Sequence, residues 1–358
     1  MKIIIAGGGT GGHIYPVLAI AKTFAKNRDK VVLIGRKNSK EEEIYKANKF
    51  YVRTIESSAL EFTPKKVMKF VYKVAKGIDE GIHILNEEKP DAVIGAGGYV
   101  SAPLIFAAIM RNIPFFIYEQ NIIPGRANRL FSKKSKKIFL GFPDRFHYFD
   151  SGKAVFTGNP IRKEIIETKR KEGLEFFNFS DKPVLLVFGG SGGAKNLNYI
   201  FSSIIDKLLL RINIQIIFIT GKRDYPNIKK IIKSHPDLRV IPYLERMEYA
   251  LAASDFAITR AGAMTLTELA KKGVPAIAVP FPYARDDHQK KNALFLKSRG
   301  CIDLLEESKI SGDILFNKII YYFSHPDIIN IMREKEKNVF PENSAEIMYK
   351  IVKEQING

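Results

Sequence analysis

Two segments roughly 180 residues apart are built alike: IIIAGGGTGGH (Ile3–His13) and LLVFGGSGGAK (Leu185–Lys195). Each runs four apolar residues into a glycine-rich turn, and a helix-like pattern follows. Apolar runs at Lys2–Ala6, Lys30–Ile34, Ala92–Ile94, Pro114–Tyr118 and Lys137–Leu140 alternate with amphipathic stretches. The second half repeats this with Pro183–Phe188, Ile214–Thr220, Val240–Pro242, Phe256–Thr259 and Ala276–Pro280. Short, continuously apolar strands alternating with helices predict parallel sheets covered on both faces. The expected fold class is therefore α/β, with two doubly wound, Rossmann-like domains in tandem.

A chain of 358 residues suits two domains rather than one core. The boundary is expected near Gly158-Asn159-Pro160-Ile161-Arg162, which gives domains 1–160 and 161–340. Ser344–Asn357 carries a further helical pattern, with Ile347, Met348 and Ile351 as its apolar positions.

The first turn, read as Gly7-x-Gly9-x-x-Gly12, matches a dinucleotide fingerprint. An NAD enzyme also needs an acid after the second strand, for the ribose diol. Here Gly35, Arg36 and Lys37 stand there. Arg36 suits the 2′-phosphate of NADP, so an NADP-dependent oxidoreductase stays open. Against it stand His13 at the helix start, which is no part of that fingerprint, and a second glycine turn, GAGGYVSAP (95–103). Two glycine turns on neighbouring strand ends make a two-sided cradle for a diphosphate. A glycine turn allows close backbone approach, and the helix after it offers free N–H groups and a positive dipole end.

The second half adds TRAGAMTLTE (259–268). Ala261, Gly262 and Ala263 are small, a helix begins near Met264, and Glu268 shares a face with Thr265 and Met264. A carboxylate there can accept both hydroxyls of a ribose.

The net charge is +19 and the isoelectric point about 9.7, which implies an anionic partner. Candidates are nucleic acid, an anionic membrane surface or a phosphorylated substrate. No nucleic-acid motif supports the first. The stretch TPKKVMKFVYKVAKGIDEGI (63–82) places Val67, Phe70, Val71, Val74 and Ile78 on one stripe, flanked by Lys65, Lys66, Lys69, Lys73 and Lys76. Such a helix suits an anionic lipid surface, and KKSKK (133–137) adds charge in the same half. No apolar run approaches the ~18 residues of a membrane span. The single cysteine, Cys301, excludes an internal disulfide and fits a reducing compartment. The start of the chain lacks the features of a secretory signal.

Taken with YEQN (118–121), GNPIR (158–162) and DDHQKKNA (286–293), these segments resemble the MurG family. The likeness runs through nearly the whole chain in the family's order. It implies a GT-B fold, two Rossmann-like domains facing across a cleft. It also implies transfer of N-acetylglucosamine (GlcNAc) from UDP-GlcNAc to the undecaprenyl-diphosphate-linked N-acetylmuramyl (MurNAc) pentapeptide of peptidoglycan synthesis. The first domain would take the acceptor and lie peripherally on the cytoplasmic face of the membrane. The second would hold the donor, and the final helix, about 341–358, would pack back on the first. Implied partners are UDP-GlcNAc, the lipid-linked diphosphate, the anionic membrane surface and cell-wall or division proteins. No nucleic acid, cofactor or essential metal is expected.

Carried over by position, the implied donor contacts are Thr10, Gly11, Gly12, Asn121, Arg162, Ser191, Leu244, Ala263, Met264, Thr265, Leu266, Thr267, Glu268 and Gln289. Gly9, Gly97, Gly98 and Tyr99 would hold the acceptor diphosphate. The relatives often have His where Tyr118 stands, and Gln where Gly192 stands. The reaction implied is an inverting displacement, with fixed N–H donors stabilising the leaving diphosphate. A base should assist the acceptor hydroxyl; His13 is the first candidate and Glu119 the second. Another GT-B UDP-sugar enzyme, such as a UDP-GlcNAc epimerase, and a non-enzymatic division scaffold are the other readings.

Overall fold

The computed structural model describes residues 1–9, 11–57, 64–190 and 193–357, apart from the side chains of 64–69. Its backbone falls into two compact units, one of Met1–Arg162 with Pro341–Gly358 and one of Lys163–Phe340.

Unit 1 holds a seven-stranded, wholly parallel sheet. Its strands are β1 (Lys2–Ala6), β2 (Lys30–Gly35), β3 (Tyr51–Thr54), β4 (Ala92–Gly95), β5 (Phe115–Glu119), β6 (Ile138–Leu140) and β7 (Ala154–Phe156). Their spatial order is β3-β2-β1-β4-β5-β6-β7. Helices α1 (Gly11–Lys26), α2 (Lys40–Ala47), α3 (Pro64–Glu88) and α4 (Ser101–Met110) cover it. Side chains alternate across a strand, so β1 feeds both faces at once. Ile3 and Ile5 join Val17, Ile20 and Phe24 of α1, while Ile4 and Ala6 join Leu104, Ile105 and Ala108 of α4. The helix Ser344–Asn357 closes the first of these cores with Met348, Tyr349 and Val352, and Tyr349 meets Phe24 edge-on with ring centroids 5.1 Å apart. A 14-residue helix is marginal alone. Burying each such side chain stabilises it by about 1.5–3 kcal/mol.

Unit 2 repeats the scheme with β8 (Val184–Phe188), β9 (Gln215–Ile219), β10 (Leu238–Ile241), β11 (Phe256–Thr259), β12 (Ala276–Ala278) and β13 (Ile302–Leu304). The order is β10-β9-β8-β11-β12-β13, again parallel throughout. Both sheets therefore reverse their winding at the pair β1/β4 or β8/β11, and ligands of such sheets bind outside the strand ends at that point.

Strands β3, β7 and β13 were not expected from the sequence. All three lie at or beside a sheet edge with half-exposed residues, so none shows a continuous apolar run. The third strand of unit 2 starts two residues before the expected Val240, because Arg239 and Val240 are only half buried.

Candidate active site

In unit 1 the two glycine turns touch. A side-chain carbon on Gly98 would lie 2.1 Å from the carbonyl oxygen of Gly8, and one on Gly97 would lie 2.9 Å from Cε1 of His13. Both residues have φ of +78°, so glycine is required twice over, for conformation and for space. The Ala96 N–H donates to Ala6 O at 2.7 Å, which locks the second turn onto the end of β1. Gly9 is exposed with φ of +101°, and Tyr99 is 51% exposed. Gly11 and Gly12 open α1, whose first turn carries no acid that would compete with a bound anion. Thr10 lies outside the described residues.

His13, in the first turn of α1, is half buried, with Nδ1 3.1 Å from Ala96 O. A carbonyl can only accept, so Nδ1 carries the proton and Nε2 of the neutral ring carries the lone pair. Burial holds the imidazole below its ordinary 6.5, outweighing the upward pulls of Glu119's charge and the Ala96 carbonyl. The ring is thus neutral near pH 7 and able to take a proton.

Glu119, at the end of β5, is 4% exposed, and its oxygens are committed. They accept from Asn121 N at 2.9 Å, Gly125 N at 2.8 Å and Asn128 Nδ2 at 2.8 Å. These bonds fix the loop that carries Asn121. A general base must turn a lone pair towards the proton it takes, so the geometry favours His13 for that role and gives Glu119 the loop.

Tyr118 stands where relatives often have His. Its hydroxyl donates to Asn159 Oδ1 at 2.5 Å, and Asn159 Nδ2 donates to Gln120 O at 3.3 Å. GNPIR is thereby tied beneath YEQN, a link between residues 41 positions apart that sequence reading missed. The Arg162 guanidinium lies 4.7 Å over the Tyr15 ring, within unit 1.

Arg36, the residue that kept the NADP reading open, is engaged elsewhere. Its Nε donates at 2.9 Å to Glu41, which is 1% exposed and packs beside Gly8.

Unit 2 builds its edge differently. Gly190 and Gly193 both have positive φ, and a carbon on Gly189 would strike Ala194 N at 2.5 Å, so the turn folds back tightly before the helix Lys195–Ser202. Ser191 lies outside the described residues. Beyond β11, the helix Ala263–Lys272 begins after Gly262, with no acid in its first turn. Thr265 and Glu268 are half exposed on one face, whereas Ala263, Met264, Leu266 and Thr267 are buried. Met264 therefore does not share the open face of Thr265 and Glu268, and for the buried residues the backbone is what a ligand can reach. Leu244 is half buried in the segment after β10. Gln289 opens the helix His288–Lys297, and its Oε1 accepts from Phe281 N at 2.9 Å. Among the described residues no cluster of three or more His, Cys, Asp or Glu could hold a metal ion.

Comparison with known proteins agrees with this architecture. The glycosyltransferase family 28 N-terminal domain matches residues 3–140, and the family's C-terminal domain matches 184–351. A UDP-N-acetylglucosamine–N-acetylmuramyl-(pentapeptide) pyrophosphoryl-undecaprenol N-acetylglucosamine transferase of Thermoanaerobacter sp. (strain X514) is 37% identical, over 99% of both chains. The same enzyme of Acetivibrio thermocellus is 36% identical over 99% of this chain and 98% of its own. Among solved structures, Acinetobacter baumannii MurG superposes with a TM-score of 0.77 at 27% identity, covering 99% of each chain. A UDP-GlcNAc 2-epimerase from Neisseria meningitidis shares the fold at a TM-score of 0.72 and 17% identity, covering 99% of this chain and all of its own. This chain belongs to glycosyltransferase family 28 and, within it, to the MurG family.

Proposed function

We infer that the chain is a hexosyltransferase that moves GlcNAc from UDP-GlcNAc to the 4-hydroxyl of MurNAc-pentapeptide on undecaprenyl diphosphate, with inversion at C1. The observation that carries this reading is the paired glycine turns with a neutral, base-ready His13 at their junction, in a chain 37% identical throughout to a transferase of that name. The hydroxyl oxygen bonds to C1 as the C1–O bond to the diphosphate breaks. The hydroxyl proton goes to His13 Nε2, and UDP leaves with the bonding electrons.

The remaining parts fall to residues by position. Gly9, Gly97, Gly98 and Tyr99 receive the acceptor diphosphate. Gly11, Gly12, Asn121 and Arg162 approach the donor from unit 1. In unit 2, the N–H groups of 263–266 meet the charge that grows on the leaving diphosphate. Glu268 accepts the ribose hydroxyls, Leu244 lies by the uracil, and Gln289 bonds sugar hydroxyls. Thr10 and Ser191 belong to the same proposal on sequence grounds alone.

Among the described residues no helix is long and apolar enough to cross a membrane. Contact with the lipid acceptor falls to α3. Val71 and Tyr72 are 60% and 67% exposed there, while Phe70, Val74 and Ile78 are half buried, so the stripe both packs and faces outward. We place the enzyme peripherally on the cytoplasmic face of the membrane, where cell-wall or division proteins are its expected neighbours.

Labelled UDP-GlcNAc offered with a lipid-linked muramyl diphosphate tests the reading. Label in the lipid fraction is expected. Release of free sugar, or epimerised UDP-sugar with no lipid product, would overturn it. UDP-GalNAc in parallel reports whether the sugar's 4-hydroxyl is read. Preference for anionic over neutral vesicles at low salt tests the membrane assignment.

A further inference from the structure

His13 has a neighbour that the mechanism above leaves unused. Gln120 follows Glu119, is 9% exposed, and places Nε2 3.4 Å from Nδ1 and 3.3 Å from Nε2 of the imidazole. The two distances are nearly equal. A nitrogen so placed in the ring plane would collide with Cε1, which projects between the two ring nitrogens. The amide therefore lies over the ring face, and the in-plane lone pair on Nε2 has no partner among the described residues.

The amide's orientation follows from the same network. With Nδ1–H committed to Ala96 O, the neutral ring is electron-rich, and the amide turns an N–H towards it. Its own oxygen, Oε1, is buried and accepts no hydrogen bond from the described residues. An unpartnered buried acceptor is costly, because it has given up water and gained no donor. Once His13 takes a proton the polarity over the ring reverses: the N–H now faces a cation, while the idle oxygen is what a cation needs. The backbone is held by Asn159, but the terminal torsion of a glutamine is broad and nearly two-fold, so the amide can turn without moving the chain.

We propose that Gln120 is a positioning residue whose carboxamide follows the charge of His13, donating over the neutral ring and presenting Oε1 to the imidazolium formed during transfer. This rests on the reading of His13 as the base. The ionisable groups in the adjoining stretches are Tyr118, bonded to Asn159, and Glu119 at the end of β5, Tyr99 in the turn after β4, and Tyr15 on α1 with Arg162 over it. Of these, Glu119 acts on the ring through its negative charge.

The test is the pH profile of kcat/KM for sugar transfer by the full chain, together with the ring-nitrogen NMR shifts of His13. In Gln120→Glu a carboxylate stands over the ring and should move the acid limb up by about one pH unit or more. In Gln120→Leu the imidazolium loses its acceptor, and the limb should move down. In the wild type, the Gln120 side-chain amide signals should shift with the same midpoint as His13. If both variants keep the wild-type limb while only their rates change, or the amide signals ignore the titration, the proposal is overturned. Should Gln120→Leu fail to fold, Gln120→Glu and the wild-type titration still decide. His13→Ala with near-normal turnover would instead remove the base reading itself, and so separates the two failures.

Discussion

The turn after β1 and the turn after β8 have nearly the same sequence, and each lies against a buried carboxylate held by an arginine, but the first also meets an imidazole. The first meets a second glycine turn, an imidazole and a buried carboxylate within a few ångströms. The second meets backbone and Asp224: a carbon on Gly193 would lie 3.4 Å from Thr220 O and 3.7 Å from Asp224 Oδ2. Asp224 is itself held by Arg223 at 2.8 Å and Asn198 at 2.9 Å. One backbone solution thus serves two tasks. In unit 1 it brings a titratable ring to a strand junction. In unit 2 it leaves helix ends and N–H groups, which suit a charged leaving group and move no proton.

The sharpest way to break this division is His13→Ala. Turnover should fall by about 10²–10⁴-fold, the usual worth of a general base, while UDP affinity measured by calorimetry stays within about twofold. A parallel loss of UDP binding would show that the ring serves the donor. Activity should also decline as pH falls through the acid range, with a midpoint below 6.5, because burial lowers the imidazole.

Glu268→Ala probes the other side. Loss of a charged acceptor for two hydroxyls should weaken UDP-GlcNAc by about 1.5–3 kcal/mol, roughly 10- to 150-fold in KM. Acceptor KM should not move.

The glycines compare the turns directly. Gly98→Ala must push Gly8 aside, whereas among the described residues nothing lies within 4 Å of a carbon on Gly190. Both carry positive φ. Gly190→Ala should therefore cost about 1 kcal/mol of strain. Gly98→Ala should cost about 1–3 kcal/mol more, the range for overpacking, with a matching loss of acceptor use. Equal thermal shifts would refute the contact between turns.

The smallest effect concerns the buried acids. Burial pushes Glu41 up, but the hydrogen bond and charge of Arg36 outweigh it, leaving the carboxyl below its usual range. Glu336 in unit 2 has neither oxygen hydrogen-bonded among the described residues, and burial raises it well above 4.5 against only a partial pull from Arg333. The folded chain therefore keeps a proton there that the unfolded chain releases. Stability from this group is full below about pH 4.5 and declines as pH rises towards its folded value. Glu336→Gln should flatten that slope, with a Tm gain of a few degrees that grows with pH. A gain independent of pH would point to packing alone.

Much of this organisation was readable in the sequence, because strand, turn and helix are local patterns. β1, α1 and the glycines between them lie within 25 consecutive residues. What escaped reading is non-local. The neighbouring glycine turns of β1 and β4 were expected, but not the contacts between them, Gly98 against Gly8 and Ala96 O against His13, which arise because β4 lies beside β1 from 90 positions away. The Tyr118–Asn159 bond is likewise a product of packing. At 263–268 the helical period alone sets Glu268 beside both Met264 and Thr265, and it is tertiary packing that buries Met264 and leaves the other two half exposed.

Unit 2 is one uninterrupted stretch, whereas unit 1 is completed by residues 341–358. During synthesis, the whole of unit 2 is made before the last piece of unit 1. Phe24 and its neighbours on α1 must wait through some 325 residues of elongation for Tyr349 and Met348. At roughly 5–20 residues per second that is about 15–65 seconds with an apolar face uncovered. A message truncated before residue 341 therefore yields a complete unit 2 joined to a unit 1 with an uncovered apolar face, which is a substrate for chaperones and proteases before it is an enzyme.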